Sequence, residues 1–99
     1  MRLDRAADAE TAYREELRAF PYNLRAYAGL ATLFHASNRD ADVAPLIGDL
    51  VKALPTPEGY ATAVRLWTTV GERAHADALR TEARSRFRGD PSLSLLTPR

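Results

Sequence analysis

The sequence predicts an all-α fold of about five helices, and three observations lead to that prediction. Apolar residues recur at three- and four-residue steps in five separate segments, which places them along one face of a helix. Proline, glycine and asparagine residues separate these segments, as expected at helix ends. No stretch alternates between apolar and polar residues with a period of two, so no β-sheet is expected.

The first two helices are expected over residues 4–20 and 24–37. Pro21 ends the first, because a proline disfavours the α conformation in the residue before it. Asn23 is a good N-cap for the second helix, and Asn38 is suited to end it in the left-handed conformation. The predicted apolar faces are Ala6, Ala9, Tyr13, Leu17 and Phe20 in the first helix, and Leu24, Tyr27, Leu30, Ala31 and Phe34 in the second.

The third and fourth helices are expected over residues 43–54 and 57–70. Pro45 has no backbone N–H and must lie in the first turn, so Asp42 is predicted as the N-cap rather than Asp40. The run Thr56-Pro57-Glu58 is a helix start, with a hydroxyl cap, a proline at the first position and an acid near the positive end of the dipole. Pro55 ends the third helix and Gly71 ends the fourth. The predicted inward residues are Val43, Ile47, Leu50 and Leu54, followed by Tyr60, Ala63, Val64, Trp67 and Val70.

The fifth helix is expected over residues 73–87, with Ala76, Leu79, Ala83 and Phe87 facing inward. Gly89-Asp90-Pro91 breaks it, and Asp90-Pro91 also allows one short C-terminal turn. The predicted organisation is a helical domain over residues 1–91 and a C-terminal tail over residues 92–99.

Equivalent positions in these helices recur with a period of 33 or 34 residues. Pro21 and Pro55 are 34 residues apart, and Phe34 and Trp67 are 33 apart. Such a period is typical of helical-repeat proteins. The positions that carry the pattern are Tyr27, Leu30-Ala31, Phe34, Val43, Ile47 and Pro55 in one unit, then Tyr60, Ala63-Val64, Trp67 and Ala76 in the next.

In these residues the chain resembles the tetratricopeptide repeat (TPR) family over about residues 6–91, as roughly two and a half repeats. The first unit is a second half only, with Ala9, Tyr13 and Pro21. The last unit departs from the pattern at Arg80, where a large apolar residue is usual, and at Arg88, where proline is usual. The resemblance implies a right-handed α-solenoid of antiparallel helix pairs. A generic helical bundle with the same helices is the alternative.

The resemblance also implies a function, because TPR proteins bind peptides or helices in a concave groove lined by the first helix of each pair. Here those are the second and fourth helices. The candidate groove residues are Arg25, Thr32, His35, Arg65, Thr68 and Thr69. Two arginines in that set would favour an acidic segment of another protein. We therefore expect a scaffold or adaptor. The last two helices also resemble the TPR-like domain of some bacterial transcriptional activators, without any accompanying DNA-binding segment.

Nothing in the sequence favours catalysis, a cofactor or a bound metal ion. The chain has no cysteine, and its two histidines, His35 and His75, are expected to be solvated or partly packed. Asp40-x-Asp42 lacks the glycine and the distant glutamate of a calcium loop, and helix capping accounts for it better. The net charge is only +1, and the charged start and the lack of a long apolar run favour the cytoplasm over a membrane.

Two other functions remain open at this stage. The chain could self-assemble as a homo-oligomer, or be a fragment of a longer repeat protein, because open solenoid ends expose apolar surface. The candidates for that surface are Val51, Leu66, Leu93, Leu95 and Leu96. Nucleic-acid binding through the basic fifth helix is a lesser alternative. It would use Arg73, Arg80, Arg84, Arg86 and Arg88.

Overall fold

A computed structural model describes residues 5–88 of the chain. These residues form five α-helices and one 3₁₀ turn, with no strand among them. In order they are α1 (Arg5–Ala19), α2 (Leu24–Ala36), the 3₁₀ turn (Asp40–Asp42), α3 (Val43–Ala53), α4 (Pro57–Thr69) and α5 (Arg73–Arg86). The all-α prediction is confirmed, and each helix ends within one residue of its expected bounds. The predicted break at residues 89–91 and the tail at 92–99 lie outside the described residues.

Four of the expected helix ends are formed by the predicted residues. The Asn23 side chain accepts hydrogen bonds from the backbone N–H groups of Arg25 (3.1 Å) and Ala26 (3.4 Å). The Thr56 hydroxyl accepts from the N–H of Gly59 at 3.1 Å. Asn38 has φ 59° and Gly71 has φ 82°, the left-handed conformation that terminates helices.

The predicted capping role of Asp42 is wrong in its chemistry. Asp42 immediately precedes α3, but its side chain makes no capping hydrogen bond. Its backbone is α-helical, with φ −83° and ψ −12°, because the 3₁₀ turn runs directly into α3. A capping side chain needs the extended backbone that Asn23 and Thr56 have. The Asp42 carboxylate instead accepts a hydrogen bond from Nε of Arg39 at 2.7 Å.

The helices pack in a stepwise order along the chain. α1 packs on α2, α2 packs on both α3 and α4, α3 packs on α4, and α4 packs on α5. The core lies between α2, α3 and α4, and its largest fully buried side chains are Phe34, Leu30, Leu50 and Val43. A second buried cluster joins α4 to α5.

Three predictions about apolar residues are wrong. Ala6 was placed on the apolar face of the first helix but is exposed. Phe20 was expected to face inward but is 48% exposed, because α1 ends at Ala19 and the chain turns away before Phe20 can follow the helical face. Leu66 was expected to add exposed apolar surface but is buried. Its helix, α4, is covered by neighbours on three sides. Val51, the other described candidate, is half-buried and packs on both clusters.

Glycine allows two close helix approaches. A Cβ atom on Gly29 of α2 would lie 2.6 Å from the Tyr13 hydroxyl of α1. A Cβ atom on Gly59 of α4 would overlap the carbonyl oxygen of Leu54 and lie 2.8 Å from its Cβ. The Gly59 contact is with backbone and fixes the spacing of α4 on the end of α3, whereas the Gly29 contact is with the end of a side chain that can rotate. No helix within residues 5–88 has the length and apolar character needed to cross a bilayer.

Candidate functional site

A concave surface lies between α2 and α4, and we call it the α2–α4 groove. It has a volume of about 340 Å³. Its residues come from successive turns of the two helices that face each other. They are Leu24, Arg25, Ala28 and Thr32 on α2, and Thr62, Arg65, Leu66 and Thr69 on α4.

The groove has an apolar floor and a polar rim. Leu66 and Thr62 are both 5% exposed, and Leu24 and Ala28 are half-buried. The other four residues are exposed. A surface with an apolar base and few polar groups around it is typical of a site that takes a side chain of a ligand and fixes its orientation with hydrogen bonds.

The charge of the groove is unbalanced. Its lining contains two guanidinium groups, those of Arg25 and Arg65, and no carboxylate. The Arg65 side chain donates to the Thr62 hydroxyl at 3.3 Å, and neither arginine forms an ion pair with a described residue. By contrast, Arg14 and Arg39 pair with Glu10 on another face of the molecule. The groove thus offers two guanidinium groups that form no ion pair within residues 5–88.

The structure brings together four of the six residues predicted for this site: Arg25, Thr32, Arg65 and Thr69 line the groove. His35 lies beyond it, at the end of α2, where Nδ1 is 2.8 Å from Oδ1 of Asp40. The Thr68 hydroxyl donates to the carbonyl of Val64 at 2.9 Å. Thr68 lines a different cleft, between α4 and α5.

The sequence prediction missed the floor of the groove, which consists of Leu24, Ala28, Thr62 and Leu66. Leu24 had been assigned to the core stripe. Ala28 lies one turn before Thr32, and Thr62 lies one turn before Leu66. Thr62 and Leu66 also lie three residues before the predicted rim residues Arg65 and Thr69. The signal that could have found these floor residues was this continuation of the rim at three- and four-residue steps along each helix.

A charged network joins α1 to the turn after α2, on a different surface from the groove. The Glu10 carboxylate accepts from Arg39 Nη1 at 2.6 Å and from Arg14 Nε at 3.0 Å. The hydrogen bond from Arg39, followed by that from Arg14, holds the pKa of Glu10 below its usual value. The Arg39 guanidinium also lies 4.6 Å from the centre of the Phe34 ring. These contacts connect α1 to the turn after α2, so we assign them a structural role.

Two arginines of the basic helix α5 pair with carboxylates of the same helix. Arg86 pairs with Glu82 at 3.3 Å, and Arg80 pairs with Asp77. The aromatic residues that a nucleic-acid site would use for stacking are engaged as well. Trp67 stacks on His75 with ring centres 4.4 Å apart, and Phe87 packs edge-on against Tyr60 at 5.4 Å. Within residues 5–88, no three histidine, aspartate or glutamate side chains converge as metal ligands would.

Tyr60 occupies the centre of the α4–α5 contact. Its hydroxyl donates to Oε2 of Glu82 at 3.0 Å. Burial, with the Glu82 hydrogen bond second, raises the pKa of Tyr60 above its usual value.

Comparison with protein-family models, with curated proteins and with solved structures finds no match to this chain.

Proposed function

We propose that this chain is a helical-repeat adaptor that binds an acidic peptide or helix of another protein in the α2–α4 groove. The observation that carries the proposal is the presence of two arginines without an ion pair, Arg25 and Arg65, beside a floor containing the buried side chain of Leu66. The proposed role is recognition, without a chemical step.

The packing order supports a repeat arrangement of TPR type. α2 contacts α4 as well as α3, and α4 contacts α3 as well as α5, as expected when one helix pair stacks on the next. Residues related by the 33-residue period have matching environments. Tyr27 and Tyr60 are both 3% exposed, and Ala31 and Val64 are 0% and 3% exposed.

The chemistry of the groove favours a ligand segment with carboxylates on either side of an apolar residue. Guanidinium groups form charge-assisted, often paired, hydrogen bonds with carboxylates. An apolar side chain between them would cover Leu24, Ala28 and Leu66. Because both arginines are exposed, each ion pair is worth at most about 1 kcal/mol and is weakened by salt.

The test is fluorescence anisotropy with two labelled peptides of about twelve residues. One peptide carries a leucine flanked by glutamates. The other has the same sequence with every glutamate replaced by glutamine. We expect binding of the acidic peptide only, weaker at high salt. The Arg25→Gln/Arg65→Gln variant should bind roughly fivefold to thirtyfold more weakly, corresponding to a loss of about 1–2 kcal/mol.

The control is the Arg5→Gln/Arg18→Gln variant, which removes the same net charge from α1, outside the groove. It should retain the wild-type affinity at fixed salt. Equal losses in both double variants would show that overall charge, not the groove, attracts the peptide, and would remove the basis of the proposal.

Self-assembly is a second candidate, favoured by one specific observation. Phe20 and Tyr22, in the turn between α1 and α2, are 48% and 61% exposed and pack against each other. Paired exposed aromatic rings occur at protein interfaces. Light scattering coupled to size exclusion tests this idea. A dimer that persists at high salt and is lost in Phe20→Ser/Tyr22→Ser would favour assembly, whereas a monomer leaves the groove as the proposed site.

A further inference from the structure

A second concave surface lies between α4 and α5, and we call it the α4–α5 cleft. It has a volume of about 480 Å³ and is lined by Thr68, Arg73, Ala76, Asp77 and Arg80. None of these residues lines the α2–α4 groove, so conclusions about the cleft do not depend on the function proposed for the groove.

Arg80 stands at a position that is apolar one repeat earlier. Thirty-three residues before Ala76 and Arg80 are Val43 and Ile47, which are 0% and 3% exposed. Both belong to the core that α4 helps to cover. Among the described helices, none packs on α5 except α4, so the surface around Arg80 remains a cleft. Arg80 therefore places a guanidinium where the earlier repeat has the apolar side chain of Ile47.

The bonding of Arg80 is incomplete. Its Nη1 donates to Oδ1 of Asp77, but its Nε has no hydrogen-bond acceptor although the atom is buried. The side chain as a whole is only 20% exposed. A buried N–H without an acceptor destabilises the folded state, and native proteins usually satisfy such groups with an ordered water or an ion.

The charge of the cleft indicates which kind of acceptor fits. Its lining holds two guanidinium groups, those of Arg73 and Arg80, and one carboxylate, that of Asp77. The carboxylate is 69% exposed and hydrogen-bonds to Nη1 of Arg80. Arg73 is exposed and forms no ion pair within residues 5–88. One positive charge is therefore left over beside an unsatisfied donor.

We propose that the α4–α5 cleft binds a phosphate-type oxyanion between Arg80 and Arg73. The Nε and Nη2 groups of an arginine form a flat edge with two parallel N–H bonds, which matches two oxygens of a phosphate. Asp77 is bonded to Nη1, and Nε has no acceptor. Because Nε is shielded from solvent, the anion binds there once the Arg80 side chain turns this edge toward the cleft. Arg73, seven residues and therefore about two helical turns before Arg80, supplies the second positive charge.

The chain provides its own reporter for this site. Trp67, the single tryptophan, precedes Thr68 and stacks on His75 of α5 at 4.4 Å. The experiment titrates sodium phosphate into the full chain at constant ionic strength set by sodium chloride, and follows both Trp67 fluorescence and thermal unfolding. At a phosphate concentration ten times the Kd, the equilibrium constant for unfolding should fall about elevenfold.

Three variants decide the result. Arg80→Met removes the guanidinium and places an apolar residue where the earlier repeat has Ile47, so the variant should fold. Its Kd for phosphate should rise at least about tenfold. Arg73→Gln changes an exposed residue and should raise the Kd for phosphate several-fold. Arg86→Met is the control, because Arg86 lies on the same helix but pairs with Glu82 and does not line the cleft.

A phosphate response in wild type and Arg86→Met that is weakened in Arg80→Met and Arg73→Gln would support the site. No difference between phosphate and chloride in the wild type would overturn it and would assign the Arg80 Nε to an ordinary water. An equal response in wild type, Arg80→Met and Arg73→Gln would overturn it as well, because the anion would then bind elsewhere.

Discussion

Two glycines on the packed helices should respond to alanine in opposite directions. Gly48, in the middle of α3, is exposed, and a Cβ atom there would meet nothing within 4 Å. Gly59, in the first turn of α4, is buried, and its Cβ would overlap the backbone oxygen of Leu54 and lie 3.1 Å from the carbonyl carbon. The two substitutions are chemically identical. The difference between their effects on the free energy of unfolding therefore reports the packing of α4 on the end of α3.

The magnitudes follow from the two environments. Alanine in an exposed helix interior gains up to about 1 kcal/mol over glycine, so Gly48→Ala should raise the free energy of unfolding by about 0.5–1 kcal/mol. Gly59→Ala has a similar gain to set against overpacking, which costs about 1–3 kcal/mol. Here the overlapping atom belongs to the backbone, which cannot rotate away as a side chain can. We therefore expect a net destabilisation of about 1–2 kcal/mol.

The assay is urea unfolding followed by circular dichroism at 222 nm, supported by thermal melts. A change of 1 kcal/mol shifts the Tm of a domain of this size by about 4–8 °C. Gly48→Ala should therefore melt a few degrees above the wild type, and Gly59→Ala clearly below it. If both variants are stabilised to the same extent, α4 does not approach Leu54 this closely and the described packing of α3 on α4 is incorrect.

Three further predictions concern single contacts. Asn23→Ala should destabilise the fold by about 1–2 kcal/mol in urea unfolding, because it removes the N-cap of α2 together with the 2.7 Å hydrogen bond to Glu16. Glu10 has a lowered pKa in the folded state, so its contribution to stability should be present above pH 4.5 and lost as the pH falls below that value. Arg39→Gln should flatten this acid dependence, and an unchanged profile would refute the assignment. Tyr60 has a raised pKa, so its stabilising contribution should hold below pH 10 and decline above it. Absorbance at 295 nm should show one fewer late-titrating phenol in Tyr60→Phe.

The helix boundaries could be predicted because local chemistry determines them. Pro21 and Pro57 act through their own ring geometry, Asn23 and Thr56 through bonds to the next turn, and Gly71 through its positive φ. None of these effects needs a distant residue. Asp42 shows the limit of such reasoning. Its side chain had two possible partners, and the guanidinium of Arg39 took the place of the backbone N–H.

The width of each buried face could not be predicted, because it depends on how many neighbours a helix has. A single apolar stripe describes a helix with one neighbour. α4 has three, so Gly59, Thr62 and Leu66 are buried although they lie off the predicted stripe. For the same reason the rim of the groove followed from helix register, whereas its floor did not. The two-sided environment of Leu66 arises only when α2 and α4 come together.

A ¹H–¹⁵N correlation experiment, in which the unlabelled acidic peptide is titrated into the isotope-labelled chain, would locate the peptide on the surface of the protein. Binding in the α2–α4 groove predicts that the largest shift changes fall on backbone amides of Leu24, Arg25, Ala28, Arg65 and Leu66. Residues of α1, and those of α5 beyond its first turn, should change little. Changes concentrated on α5, or on the turn that carries Phe20 and Tyr22, would contradict the account and would move the binding surface away from the groove.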